Sequence, residues 1–115
     1  MATVNLRSGA TRGPGWTGGS SILAEVGTVQ LEFASLSLRS NDKSFAEKAL
    51  KVIDTLAEQN SARRGLLPSF IDPATGAANG GTVTLGGLGD SYFEYLLKMW
   101  IFLGGNNAGQ SATKF

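Results

Sequence analysis

The segment LGGLGDSYFEYLLKMW, residues 85–100, decides how the rest of the chain is organised. Its glycine-rich first part predicts a turn, and its second part predicts an apolar helix that begins near Asp90 or Ser91. A carboxylate at a helix start can face the unpaired backbone N–H groups there. Glu94 lies four residues further on, on the same face and one turn deeper. The segment thus places two carboxylates at one helix end, beside a loop of small residues that a ligand could approach.

Two interpretations of these acids stay open from the residues alone. Ser91-Tyr92-Phe93-Glu94 fits the S-x-x-E capping box, so the acids could serve only to start the helix. Acids are also common in first helical turns because they stabilise the helix dipole. The alternative is a carboxylate site for chemistry, surrounded by the aromatic side chains of Tyr92, Phe93, Tyr95 and Trp100.

A second apolar helix is predicted from Ser20 or Ser21 to about Leu38. Glu25 lies in its first turn, with apolar or small neighbours and no basic residue nearby in the sequence. Glu32 follows seven residues later and would share a face with Glu25 on a continuous helix. A first-turn glutamate is commonly a dipole-stabilising surface residue, but these apolar neighbours favour burial in a polar cleft equally well.

The whole chain predicts a mainly α fold with one small β-hairpin. Residues 1–19, with five glycines, predict an irregular segment in which Trp16 is the large anchor. Trp16 could pack on the core or stack on a sugar. Residues 44–59 predict an amphipathic helix, and 66–71 with 82–85 predict the two strands of the hairpin.

The third helix, predicted from Ser91 to Leu103, is apolar nearly all round. Such a helix needs neighbours on several sides, and two further helices and a hairpin cannot supply them. We therefore expect the chain to be part of a larger helical assembly, or else oligomeric or partly molten. Residues 60–65 are predicted as a loop, and 104–115 as a disordered tail or severed linker.

The composition excludes several classes of function. The 115 residues contain no histidine and no cysteine, which excludes Ser-His-Asp and Cys-His nucleophilic systems, His-ligated metal sites and disulfides. Ten basic and nine acidic residues give a net charge of +1, so neither nucleic acid nor a membrane surface is indicated as a partner. No apolar run approaches the ~20 residues of a transmembrane segment, and no targeting signal is visible. Carboxylates are the titratable groups left for chemistry near neutral pH.

Three segments resemble the class I α-mannosidases, glycoside hydrolase family 47. They are GGSSILAEVGTVQLEF at 18–33, GLLPSFIDPATG at 65–76, and the segment at 85–100, which is similar to the family block G-A/G-x-x-D-S-Y/F-Y/F-E-Y-L-L-K. The segments keep the family's order and approximate spacing, and the resemblance covers about residues 3–103. It implies that residues 1–103 are a partial catalytic domain of this family.

The resemblance also implies a fold and a function. The fold would be a fragment of an (α/α)7 barrel, about one and a half of its helix pairs, with the remaining helix pairs as partners. The function would be that of an inverting α-1,2-mannosidase that trims oligomannose N-glycans in the lumen of the Golgi or the endoplasmic reticulum.

Site residues follow from the family pattern by position in this sequence. Asp90 matches a catalytic-site aspartate, proposed as a general base or a proton-relay acid. Glu25 matches an acid of the sugar-binding cavity, and Glu94 an acid of the active-site core. Leu88 and Trp16 are the expected substrate-binding residues. Gly-Leu-Gly before the aspartate looks like the Golgi-type subgroup, whereas endoplasmic-reticulum members with narrow specificity carry an arginine where Leu88 stands.

Two elements of the family pattern are absent from this sequence: the catalytic glutamate of an upstream E-S/T-T-I-R motif, and the threonine that binds calcium. The resemblance therefore implies Ca²⁺ as the cofactor of the intact enzyme, no metal ligand in this chain, and an inactive fragment. The alternative function is a small helical interaction or scaffold module whose acids are only helix caps. Three acids on two apolar helices, without basic partners, favour a cleft over a scaffold.

Overall fold

The chain is mainly helical, as predicted, in the computed structural model, which describes residues 3–59 and 65–105. Its helices are α1 (Leu23–Val26), α2 (Gln30–Ser40), α3 (Ser44–Ala57) and α4 (Asp90–Phe102), with a 3-10 turn at Gly15–Thr17. Its strands are β1 (Thr3–Val4), β2 (Thr11–Arg12), β3 (Ser21–Ile22) and β4 (Phe70–Ile71). Residues 60–64 of the predicted loop and 106–115 of the predicted tail lie outside the described part. Within that part, no helix is long and apolar enough to span a bilayer.

The continuous helix predicted up to Leu38 is wrong. Its expected first residues form β3 instead, α1 ends at Val26, and α2 begins at Gln30. The interruption lies where Gly27 packs against α4, since a Cβ built on Gly27 would collide with the ring of Tyr92. Packing between helices therefore overrides an apolar period that runs on without a break in the sequence.

The predicted hairpin forms with different pairing. β4 pairs antiparallel with β3, so that Ile22 lies opposite Phe70. The N–H of Asn79 donates to the carbonyl of Phe70 at 2.8 Å, and the N–H of Ser69 donates to the carbonyl of Thr82 at 2.9 Å. The returning chain is therefore residues 78–82, ahead of the predicted 82–85. The first nineteen residues, expected to be irregular, contain the small hairpin of β1 and β2.

The hydrophobic core joins α1, α3, α4 and β4. Its buried members are Leu23, Ile53, Leu56, Leu67, Ile71 and Tyr92. Leu23, at the start of α1, is fully buried. Because three helices meet on this core, the short α1 is held in place by packing rather than by its own four residues.

Large apolar side chains stay exposed on the outer faces of α2 and α4. Leu97 and Ile101, one turn apart on α4, are 59% and 62% exposed, and Phe33 and Leu36 of α2 and Phe102 of α4 are also exposed. A monomeric protein rarely presents contiguous apolar patches beyond a few hundred Å². The outer faces of α2 and α4 therefore leave large apolar side chains open to water.

We expect the isolated chain to bind a hydrophobic dye, to self-associate, or to melt without cooperativity, because these faces are open to water. Dye fluorescence, sedimentation and thermal melting by circular dichroism measure the three properties. A sharp two-state melt of a dilute, dye-negative monomer would contradict the expectation.

Candidate active site

A tight loop at residues 86–89 delivers Asp90 to the start of α4. The N–H groups of Gly89 and Asp90 both donate to the carbonyl of Gly86, at 3.2 and 2.9 Å. The hydroxyl of Thr84 accepts from the N–H of Gly86 at 2.9 Å. A Cβ on Gly89 would collide with the carbonyl oxygen of Thr84. The glycine at position 89 thus lets the loop close directly before the helix.

Leu88 connects this loop to α1. Its backbone is left-handed, with a φ of 77°, a conformation that few non-glycine residues adopt. Its carbonyl accepts the N–H of Ala24 at 2.9 Å. The start of α1, which carries Glu25, and the start of α4, which carries Asp90, therefore lie side by side.

Asp90 is exposed, and its Oδ1 accepts the N–H of Ser91 at 2.8 Å. The N-cap residue of α4 is Gly89, which makes no side-chain capping bond. The capping box that was one of two open interpretations of Ser91 and Glu94 is therefore not formed, because the helix begins at Asp90 itself. Asp90 does not act as an N-cap either.

Glu94 has a basic partner. Its Oε1 lies 2.7 Å from Nζ of Lys98, one turn further along α4, and both side chains are exposed. The expectation that none of the three acids has a basic partner is wrong at this residue. This hydrogen bond raises the pKa of Lys98 above its usual value. An exposed ion pair of this kind contributes little to stability.

Sequence reasoning missed a contact between α2 and α4. The hydroxyl of Tyr95 donates to Oε1 of Glu32 at 2.7 Å, and this bond raises the pKa of Tyr95. Nζ of Lys98 lies 5.1 Å from the centroid of the Tyr95 ring, within the range of cation–π attraction. Glu32, Tyr95, Lys98 and Glu94 thus form one polar cluster. No local pattern reveals the contact between the two helices, since Glu32 and Tyr95 are 63 residues apart.

Glu25 is partly buried and lines a cleft of about 780 Å³. Lys48, Lys51 and Thr55 of α3 form one wall of this cleft, and the turn at 72–76 forms another. Asp90 and Glu94 are not among the residues that line it. A backbone hydrogen bond thus connects the residues next to Glu25 with the loop before Asp90. The three predicted acids do not line one cavity.

The two predicted substrate-binding residues differ in their surroundings. Trp16 is 65% exposed, and its ring meets that of Phe70 edge-on, with 6.1 Å between centroids. It is no closed lid on the core, and much of the indole stays open for stacking. Leu88 is half-buried, and its backbone carbonyl already serves the bond to Ala24.

A metal site is not formed by the residues that the structure describes. Among residues 3–59 and 65–105, no three acidic side chains come together in a way that could hold a metal ion.

The known proteins described here to which the chain is similar are all named as 1,2-alpha-mannosidases. The chain is 46% identical over 99 residues to mannosyl-oligosaccharide 1,2-alpha-mannosidase MNS1 of Arabidopsis thaliana. The aligned region covers 85% of the chain and 18% of the relative. It is 44% identical over 101 residues to mannosyl-oligosaccharide 1,2-alpha-mannosidase IB of Homo sapiens, covering 87% and 16%. It is 42% identical over 99 residues to the human endoplasmic reticulum mannosyl-oligosaccharide 1,2-alpha-mannosidase, covering 85% and 14%.

The chain thus spans less than a fifth of the length of these relatives. The sequence profile of glycosyl hydrolase family 47 matches residues 1–114. Since that match runs over nearly the whole chain, the chain belongs to glycosyl hydrolase family 47.

Proposed function

We propose that the chain is a segment of an α-1,2-mannosidase that trims oligomannose N-glycans. The three relatives described above all carry 1,2-alpha-mannosidase in their names. The observation that carries the proposal is the 2.9 Å bond between the N–H of Ala24 and the carbonyl of Leu88. It brings together two helix starts whose acids, Glu25 and Asp90, match the family's active-site acids.

An inverting glycosidase needs one carboxylic acid to protonate the leaving oxygen and one carboxylate to activate water, ~6.5–9.5 Å apart. In our proposal Asp90 supplies the basic carboxylate, or relays the proton. Its exposure and the small residues of the preceding loop support this role, because both leave room for water and a sugar. The general acid comes from a part of the enzyme outside these 115 residues.

Glu25 and Glu94 have supporting roles in the proposal. A carboxylate is an acceptor with two oxygens, so Glu25 in its cleft can accept hydrogen bonds from sugar hydroxyls. Glu94 belongs to the same active-site core, where it pairs with Lys98. Trp16 offers the exposed part of its ring to an apolar face of a sugar.

The proposal extends to the intact enzyme. Its remaining helix pairs complete an (α/α)7 barrel and cover the exposed faces of α2 and α4. Its calcium ion is held by residues beyond this segment. Its place is the lumen of the Golgi or the endoplasmic reticulum, supported by the name of one human relative.

A second function is favoured by one observation. The exposed apolar side chains of α2 and α4 suit a helical interaction module that binds another protein through them. In that case Asp90 and Glu25 would have no chemical role, and their substitution would leave the function intact.

A chimeric enzyme tests the proposal. In the chimera, the present chain replaces the matching 101-residue segment of human mannosyl-oligosaccharide 1,2-alpha-mannosidase IB. We expect the chimera to release mannose from an oligomannose glycan, and the isolated chain to release none, because the isolated chain lacks the general acid. A folded chimera without turnover, or turnover by the isolated chain, would contradict the proposal.

Leu88→Arg is expected to narrow the range of oligomannose isomers that the chimera trims. The arginine side chain would fill space beside the cavity and hold particular branch sugars, while the backbone bond from position 88 to Ala24 persists. Chromatography of the products of several purified isomers measures the cleavage order. Leu88→Lys is the control for charge, since lysine lacks the planar fork of arginine. An unchanged order with Leu88→Arg would contradict the prediction.

A further inference from the structure

Gln30 lies inside the protein at the interruption between α1 and α2. Its side chain is 0% exposed. Its Nε2 donates to the carbonyl of Val26 at 3.0 Å and to the carbonyl of Ala49 on α3 at 3.4 Å. Its Oε1 accepts the N–H of Val29 at 3.1 Å. One buried amide thus satisfies backbone groups on both sides of the gap, which a helix interruption would otherwise leave unpaired.

The other end of α1 is held by backbone bonds. The N–H of Leu23 donates to the carbonyl of Ser69 at 2.9 Å, and the N–H of Ala24 donates to the carbonyl of Leu88 at 2.9 Å. A single four-residue turn has no stability of its own. Its orientation is therefore set by core packing of Leu23 and of Gly27, by these two bonds at its start and by Gln30 at its end.

The interruption separates two acids that a continuous helix would place on one face. Seven residues correspond to almost two full turns, so Glu25 would point in the same direction as Glu32. In the structure, Glu32 bonds to Tyr95 of α4, whereas Glu25 lines the cleft against α3. The change of direction between the two acids takes place at residues 27–29.

We propose that Gln30 is a positioning residue for Glu25. Its amide bonds to the backbone on both sides of the interruption and to α3. These bonds fix the change of chain direction that places Glu25 in the cleft beside α3 and not on the face of Glu32. The consequence for sugar binding rests on the proposed function, but the placement of Glu25 does not depend on it.

The placement is measured by distances between paired spin labels, which the absence of cysteine from the chain makes simple. Labels at Glu25→Cys and Lys51→Cys report the distance across the cleft. We expect one narrow distance distribution with Gln30 in place, and a broadened or lengthened one with Gln30→Met, which keeps the size but loses the three bonds. An unchanged distribution with Gln30→Met, or a broad one with Gln30 in place, would overturn the proposal.

Two controls separate positioning from general loosening. Gln59→Met removes a bond of the same kind, from Nε2 of Gln59 to the carbonyl of Thr55 at 3.2 Å, away from the interruption. We expect it to leave the distance across the cleft unchanged, and a change as large as that of Gln30→Met would overturn the proposal. Labels at Arg39→Cys and Glu47→Cys report the packing of α2 on α3 and are expected to keep their distance in the Gln30→Met chain.

If Gln30→Met unfolds the isolated chain, as a broadened Arg39–Glu47 control would reveal, the same substitution is measured in the chimera. There we expect KM to rise more than kcat falls, about tenfold in kcat/KM. A positioning residue acts through its target, so Gln30→Met should add little to the loss caused by Glu25→Gln. Full additivity of the two losses would overturn the proposal, while an inactive parent chimera would contradict only the proposed function.

Discussion

Asp90→Asn is expected to lower the turnover of the chimera roughly 10²-fold or more, about 2.7 kcal/mol of activation free energy. The asparagine amide has no useful basicity at neutral pH, so it can neither activate water nor relay a proton. Its carbonyl oxygen can still accept the N–H of Ser91, the bond that Oδ1 of Asp90 accepts at 2.8 Å. The melting temperature should therefore change little, and kinetics together with thermal melting measure both quantities.

Asp42 provides the matched control. Its Oδ1 accepts the N–H of Ser44 at 2.9 Å, directly before α3, and this bond lowers the pKa of Asp42 below its usual value. Asp42 thus has the same kind of backbone contact at a helix start and no proposed chemistry. Asp42→Asn should leave turnover unchanged. Near-normal turnover with Asp90→Asn would remove Asp90 from the mechanism.

Gly27→Ala is expected to cause a large loss of stability, about 1–3 kcal/mol in the free energy of unfolding. The added methyl group would collide with the ring of Tyr92 and would lie 2.9 Å from the carbonyl oxygen of Leu23. Both neighbours are buried in the core, so neither can move aside freely. Thermal melting of the chimera measures the effect.

Gly13→Ala is the control for Gly27→Ala. A Cβ at Gly13 meets nothing within 4 Å, and its backbone is not left-handed. An alanine there removes conformational freedom from the unfolded chain and should be neutral or slightly stabilising. The two substitutions are chemically identical and differ only in their surroundings, so Gly27→Ala should lower the melting temperature and Gly13→Ala should not. Equal shifts would show that packing at Gly27 is not the cause.

The sequence predicts those parts of the fold that depend on interactions between residues close together in the chain. α3 was predicted to within a few residues because its apolar stripe recurs at helical spacing, and Ile53 and Leu56 of that stripe are buried. α4 was predicted to within one residue because its start follows a glycine-rich turn. The interruption at Gly27 was missed because Tyr92, against which Gly27 packs, and Ala49, to which Gln30 bonds, lie far away in the sequence.

The same distinction between local and long-range interactions applies to the candidate site. Glu25 and Asp90 were predicted as site residues from their positions in apolar helix starts, which are local features. The bond between Tyr95 and Glu32 joins residues 63 positions apart, and the pair of Glu94 with Lys98 competed with a capping box that fits the same residues. When a side chain can bond either of two nearby groups, the local sequence pattern does not show which bond it makes.

The left-handed backbone of Leu88 has a consequence for how this enzyme family can vary. The hydrogen bond between the glycine-rich loop and α1 uses the backbone carbonyl of Leu88, so a side chain that tolerates the left-handed backbone can replace leucine without breaking it. Under the proposed function, a substitution at position 88 therefore changes the side chain offered to the sugar while Asp90 stays in place. The φ of 77° limits the residue types that position 88 accepts, because β-branched residues tolerate that conformation poorly. A saturation library at position 88 should accordingly return active variants rich in unbranched side chains, glycine and asparagine, and poor in valine, isoleucine and threonine.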